Sequence, residues 1–265
     1  MPSSNASRWS RTFGRVQQTL NPEWFWREVV RFGYLQKRKN REDWIIFRQS
    51  VARECAVRRE PSRGIPSACA QKLFPGLAQL TCQITPIPRG LYSPTWEETV
   101  LLASLVRYAN PSVILEIGTF DGRTTVHLAE NAPHAEIFTI DLGTGIIEVP
   151  VQDAEILGDV FVGRWIADRQ INGIHQLIGD SRTFDYESAT GRSAVDFVFV
   201  DGDHSCESVA ADSNQVFSIL AEGGLVIWHD YLTTAGVTEA LNDLAQHHPL
   251  THISGTSLVV NRQTG

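Results

Sequence analysis

From residue 96 onward the chain alternates helical periodicity with short β-branched runs, and this alternation restricts the fold more than any other feature. Apolar side chains recur at helical spacing from Trp96 to Ala109, which predicts a helix there. The pattern then predicts a strand at 112–117, a helix at 122–131, and further strands at 135–141, 174–178 and 195–201. A helix over 206–220, a fifth strand over 224–229 and a helix over 236–247 complete the series. Strands separated by helices pair in parallel, because the crossover returns the chain to the same edge of the sheet. Two last strands, around 251–254 and 257–261, lie too close for a crossover helix and should pair antiparallel. The expectation is an α/β fold, a Rossmann-like doubly wound sheet that ends in an antiparallel strand.

The residues before 96 read differently. Residues 1–90 hold 16 Lys/Arg against 6 Asp/Glu, whereas the rest hold 7 against 24. We read 1–60 as a basic, aromatic-rich helical extension, 61–95 as a Pro/Gly-rich linker or lid, and 96–265 as the ligand-binding domain. Four of the seven tryptophans precede residue 45, which suits burial against the main domain or a second subunit, with a docking surface for an acidic protein partner or an anionic membrane face as the alternative. The acidic domain lacks the clustered Lys/Arg that a nucleic-acid substrate needs. No run of about 18 apolar residues spans a membrane. Cys55, Cys69, Cys82 and Cys206 form no CxxC pair, which fits reduced thiols in a cytoplasm. Residues 1–20 also have the Arg- and Ser-rich, acid-free composition of a transit peptide, the alternative to a retained amphipathic helix.

The first strand runs into Glu116-Ile117-Gly118-Thr119-Phe120-Asp121-Gly122. Gly118 is expected to let a ligand approach the backbone, and Gly122 to allow a tight turn into the helix. A dinucleotide site would carry G-x-G-x-x-G; the spacing here is G-x-x-x-G with Phe at 120. An acid directly before the loop suits a cofactor bearing an ammonium group, which Glu116 would face. Asp141 closes the second strand and can accept the two hydroxyls of a ribose. Asp180 and Ser181 follow the third strand, where a carboxylate can accept from an adenine amino group. Three such signals at the carboxyl ends of successive strands meet at the edge where open α/β sheets bind ligands.

The fourth strand ends in Asp201-Gly202-Asp203-His204 and the fifth in His229-Asp230-Tyr231. One use of these groups is a divalent cation held by Asp201, His229 and Asp230, which would lower the pKa of a substrate hydroxyl. Another is metal-free, with His204 as general base. Asp203 and Asp230 also suit helix caps, and His229 a packed ring.

Together, Ile114-Leu115-Glu116-Ile117-Gly118-Thr119, Asp201-Gly202-Asp203-His204-Ser205 and His229-Asp230-Tyr231 resemble class I S-adenosylmethionine-dependent methyltransferases. The resemblance is to the small-molecule O-methyltransferase branch that includes cephalosporin-pathway and macrolide-sugar enzymes, and it covers about residues 90–262. It implies a seven-stranded sheet with a reversed last strand, and S-adenosylmethionine contacts at Glu116, Gly118, Asp141 and Asp180. Thr119, Phe120, Gly122, Ser181 and Asp201 complete the expected cofactor surface. Metal-dependent relatives place an Asp at 201 and an acidic or amide pair at 229–230, so His229 is a departure. The expected activity is O-methylation of a small molecule or sugar-containing metabolite, with Mg2+ or another divalent cation as the optional aid. The alternative is an inactive S-adenosylmethionine-binding subunit that docks a biosynthetic or glycosyltransferase partner through residues 1–60.

Overall fold

A computed structural model describes residues 64–87, 92–143, 161–191 and 194–262. The expected extension at 1–60 lies outside the described residues, as do residues 61–63 and 88–91 of the lid and residues 144–160.

The elements in chain order are β1 (Ser67–Ala68), α1 (Ala70–Leu73), α2 (Trp96–Ala109), β2 (Val113–Ile117), α3 (Arg123–Asn131), β3 (Glu136–Asp141), α4 (Arg164–Arg169) and β4 (Ile174–Ile178). They continue with α5 (Tyr186–Thr190), β5 (Val195–Val200), α6 (Cys206–Ile219), β6 (Leu220–Trp228), α7 (Ala235–Leu244), β7 (Thr251–Ile253) and β8 (Val259–Arg262). Among the described residues the strands form one sheet, ordered β1-β7-β8-β6-β5-β2-β3-β4. The pairs β6–β5, β5–β2, β2–β3 and β3–β4 are parallel. β8 inserts between β6 and β7 and is antiparallel to both, which is the expected reversal.

The seven expected strands are present, and β1 adds an eighth. Its two residues pair in parallel with β7 from inside the stretch expected to be lid, and Ser67 Oγ meets His252 Nδ1 at 2.8 Å. β6 starts four residues earlier than its apolar run, because Leu220 already faces Val195 across an irregular register that resumes at Leu225.

Central strands buried on both faces divide their side chains by period two. Ile114, Ile137, Phe197, Phe199 and Ile227 pack with Leu102, Leu105 and Val106 of α2 and Leu128 of α3. Leu115, Ile140, Val198, Val200 and Val226 pack with Val209 and Val216 of α6 and Val237 and Leu241 of α7. The site-bearing strand ends are thus clamped between two helical layers. Among the described residues no helix is long and apolar enough to cross a membrane.

Candidate active site

Each parallel ladder runs one residue past its strand. Gly118 N–H donates to Ile140 O at 3.0 Å, Asp201 N–H to Ile117 O at 2.8 Å, and His229 N–H to Val200 O at 3.0 Å. Gly118, Asp201 and His229 therefore lie side by side at the carboxyl edge, with Asp141 ending β3 beside them. Of the residues read from sequence, this brings the loop 116–122, Asp141, Asp201, His204, His229 and Asp230 to one edge of the sheet. Asp180 lies at the same edge past β4.

Gly122 makes the expected tight turn into α3, and Gly118 has a further reason to be glycine. Gly118 sits at φ +99°, and a Cβ there would lie 2.1 Å from the carbonyl oxygen of Asp201. Crowding by the end of β5 is by itself reason for glycine there. Gly122 caps α3 in the left-handed region, and its Cβ would strike the Ile166 side chain at 2.7 Å. Phe120 is held at φ 47°, edge-on to Tyr92 with ring centroids 6.2 Å apart. Asp141 stabilises this strained loop: one carboxylate oxygen accepts from Phe120 N–H at 2.9 Å and the other from Leu142 N–H at 2.9 Å. A carboxylate has about four acceptor positions, so two remain for a ligand.

Glu116 is wholly buried. Its Oε2 accepts from the hydroxyls of Thr125 and of Thr139, and its Oε1 has no partner. Burial pushes its carboxyl up to about 8, against the opposing hydroxyls and with help from the Asp201 and Asp141 charges. A buried, unpartnered carboxyl oxygen is costly unless a ligand satisfies it.

Asp180 is the least committed to the crevice. Its partly exposed carboxylate forks onto Arg182 at 2.8 and 2.6 Å, which holds it below the usual carboxylate range. Ser181 offers its carbonyl to the Tyr186 hydroxyl at 3.3 Å.

Around β5 and β6, His229 is buried and Asp201 Oδ1 lies 3.0 Å from its Nδ1. Asp230 Oδ1 is 3.5 Å from the same nitrogen. Burial opposes a charge on the ring, but Asp201 and Asp230 outweigh it and raise His229 well above the ordinary imidazole range. Burial likewise works against the Asp201 carboxylate, yet His229 and His204 hold it well below its usual range. His204 is half exposed, with Nε2 3.3 Å from Asp230 Oδ2 and 3.9 Å from Asp201 Oδ1; these carboxylates, Asp201 foremost, raise it. Asp230 sits at φ 62° and its carboxylate also accepts from Thr233 at 2.8 Å. Asp203 accepts at 2.6 Å from the hydroxyl of Ser205, the residue that caps α6. Tyr231 is wholly buried, and its hydroxyl donates to Asn242 Oδ1 at 2.9 Å.

Two residues escaped the sequence reading. Asp121 is buried and anchors Arg123 at 2.6 Å and the Trp165 indole at 3.1 Å, which ties α4 to the loop. Glu98 reaches the far side of His229, with Oε2 3.5 Å from Nε2.

Residues 115–231 match a family model described as a methyltransferase domain. A curated protein of Mycobacterium tuberculosis, described as a probable O-methyltransferase, is 28% identical over 109 residues. That match covers 40% of this chain and 44% of the relative, so the chain spans less than half of the length of the relative it matches. Among solved structures, the O-methyltransferase TomG of Streptomyces achromogenes, in complex with S-adenosylmethionine, is 18% identical. It covers 75% of this chain and 100% of its own, with a TM-score of 0.49. An O-methyltransferase of Bacillus cereus in complex with S-adenosylhomocysteine is 17% identical over 65% of this chain and 84% of its own, with a TM-score of 0.47. At those identities and scores the structural likenesses carry no argument about chemistry. The family match and the carboxyl-edge motifs fall on the same residues: what the chain matches over 115–231 is a methyltransferase domain.

Proposed function

We propose that the chain transfers the methyl group of S-adenosylmethionine to a hydroxyl oxygen of a small molecule or sugar-bearing metabolite, with His204 accepting the hydroxyl proton. The observation that carries this reading is the His204 ring, exposed to the crevice and backed by the largely buried Asp230 carboxylate at 3.3 Å. A carboxylate behind an imidazole orients the ring and stabilises the charge it gains as a base. The bound cofactor supplies an electrophilic methyl group on a sulfonium; the protein positions the two reactants and removes a proton.

The residues fit that cofactor. The unpartnered Glu116 Oε1 suits its ammonium, and the two open acceptor positions of Asp141 suit its ribose. Asp180 and Ser181 stand at the adenine end, where Asp180 would share its carboxylate with Arg182. Phe120 and Gly122 shape the loop between them. Isothermal titration with S-adenosylmethionine tests the reading. Asp141→Ala should weaken binding by about 10-fold to 100-fold, the worth of one or two hydrogen bonds to a charged group. Failure of the unmutated chain to bind would sink the proposal.

Glu116 adds a pH dependence. Its folded-state value is raised, so the folded chain without ligand holds the proton more tightly than the unfolded chain. Its contribution to stability is full below the unfolded value near 4.5 and is lost as pH rises through about 8. An ammonium group beside Oε1 favours the ionised form. Binding near pH 7 should therefore release up to about one proton, and affinity should rise from about pH 6 to pH 7.5. Titrations in buffers of different ionisation enthalpy measure this; an enthalpy independent of buffer would show that Glu116 does not ionise on binding.

A second reading, with metal assistance, draws on the convergence of one donor atom each from Asp201, His229 and Asp230 within 4.8 Å of one another. Such spacings suit ligands of a single ion. An imidazole between two carboxylates fits manganese, zinc or iron(II) better than magnesium. A divalent cation there would hold the substrate oxygen and lower its pKa.

A further inference from the structure

We propose that Glu98 is a positioning residue for this site: it holds the His229 ring from the side opposite Asp201, so that the start of α2 and the turn before β8 set the geometry of the crevice. The inference rests on the proposed methyl-transfer reading of the Asp201–His204–Asp230 cluster and extends it to a residue on another element.

Glu98 is the third residue of α2 and only 2% exposed. Local chemistry accounts for part of its burial. Thr95 and Glu98 form a reciprocal capping box, with Thr95 N–H donating to Glu98 Oε2 at 2.8 Å and Glu98 N–H to Thr95 Oγ1 at 3.1 Å. A capping-box glutamate usually needs only that partner and stays near solvent. Here Oε1 is also taken, by both the N–H and the hydroxyl of Ser257 at 2.7 Å each. Oε2 accepts the Thr95 hydroxyl at 2.9 Å and lies 3.5 Å from His229 Nε2. One carboxylate thus joins α2, the β7–β8 turn and the carboxyl end of β6.

The consequence falls on His229. Its Nδ1 faces Asp201 at 3.0 Å and its Nε2 faces Glu98, so the ring is fixed at both nitrogens and cannot rotate about χ2 without losing one partner. Asp201 and Asp230 both lean on Nδ1. These same carboxylates flank His204. Releasing Nε2 would let the ring turn and would move the two carboxylates that orient the proposed base. Ser257 shares Glu98 but bonds only its other oxygen, which makes it a control for fold alone.

Imidazole-resolved NMR of full-length protein tests this without a known acceptor, with His229 assigned through a His229→Gln variant. In the unmutated chain the Nε2-bound proton of His229 should be visible and shielded from water exchange. Glu98→Gln should abolish that resonance and displace the His204 signals, while S-adenosylmethionine binding persists. Ser257→Ala should lower thermal stability and leave the His229 ring unmoved. Absence of a protected Nε2 proton in the unmutated chain would overturn the proposal even if Glu98→Gln fails to fold. So would a Glu98→Gln protein that binds cofactor with His229 and His204 signals unchanged. Loss of cofactor binding by the unmutated chain would instead count against the methyl-transfer reading.

Discussion

Gly118→Ala should destabilise the domain by about 3 kcal/mol or more and lower its melting temperature by roughly 6–12 °C. Two costs combine. At φ +99° an alanine is in a region that L-residues reach only at about 1–2 kcal/mol. Its methyl group would also sit 2.1 Å from the Asp201 carbonyl oxygen and 2.6 Å from the carbonyl carbon. Both atoms are backbone at the end of β5, in a ladder held by Asp201 N–H on Ile117 O, so no rotamer change relieves the contact. Overpacking of this kind adds about 1–3 kcal/mol. Gly143→Ala is the matched control, because a Cβ there meets nothing within 4 Å. Urea and thermal denaturation of both variants give the comparison. Equal melting temperatures would mean that Gly118 is not crowded by β5.

That result bears on how a glycine motif is read. The Gly118 signal was legible in the sequence, and so was its place after the first strand. The reason for it was not, because the atom it must avoid belongs to a residue 83 positions later. The same division runs through the site. Asp141, Asp201, His229 and Asp230 were legible because parallel strands deliver their carboxyl ends to one edge whatever the loop lengths. Locating them needed only the strand boundaries, which long apolar runs mark well. Glu98 was legible as a cap, since Thr95-x-x-Glu98 is a capping-box pattern. Its reach to His229, across 131 residues, depends on how α2 lies against β6, and no local pattern encodes that. β1 was hidden for a related reason. Two residues carry no periodicity, and their partner in β7 lies 185 residues away. The commitment of Asp180 to Arg182, two residues on, is local and could have been anticipated from the Asp-x-Arg sequence.

The fold and the site also explain each other. The loop at 118–122 contains a left-handed Phe120, and Asp230 is left-handed as well. Such conformations cost of order 1–3 kcal/mol each and persist where the surroundings over-determine them. Asp141 holds the first through the Phe120 N–H, and Thr233 and Thr234 hold the second through the Asp230 carboxylate and carbonyl. The two strained residues flank the same crevice, on the cofactor side and on the proton-accepting side.

His204→Ala should lower methyl transfer by about 100-fold to 10,000-fold while S-adenosylmethionine binds as it does to the unmutated chain. The ring's partners are Asp230 at 3.3 Å and Asp201 at 3.9 Å, and of the groups assigned to the cofactor it approaches only Asp201, at the longer distance. Its removal should therefore act on proton transfer and leave the binding isotherm unchanged. Transfer of labelled methyl groups to a panel of hydroxyl-bearing acceptors, followed with the best of them, measures the rate. Dialysis against a chelator separates the two readings of the cluster. With His204 as the base and no ion, chelation should leave the unmutated rate intact. With an ion held by Asp201, His229 and Asp230, chelation should abolish turnover, manganese should restore it, and His204→Ala should retain a larger share of the activity. Asp230→Asn adds a third measurement, because it removes the charge behind His204 while leaving an amide oxygen for an ion, and should depress turnover most under the metal-free reading. A rate that survives all three treatments would place proton removal on other residues, since the base, the charge behind it and any bound ion would each have been removed in turn.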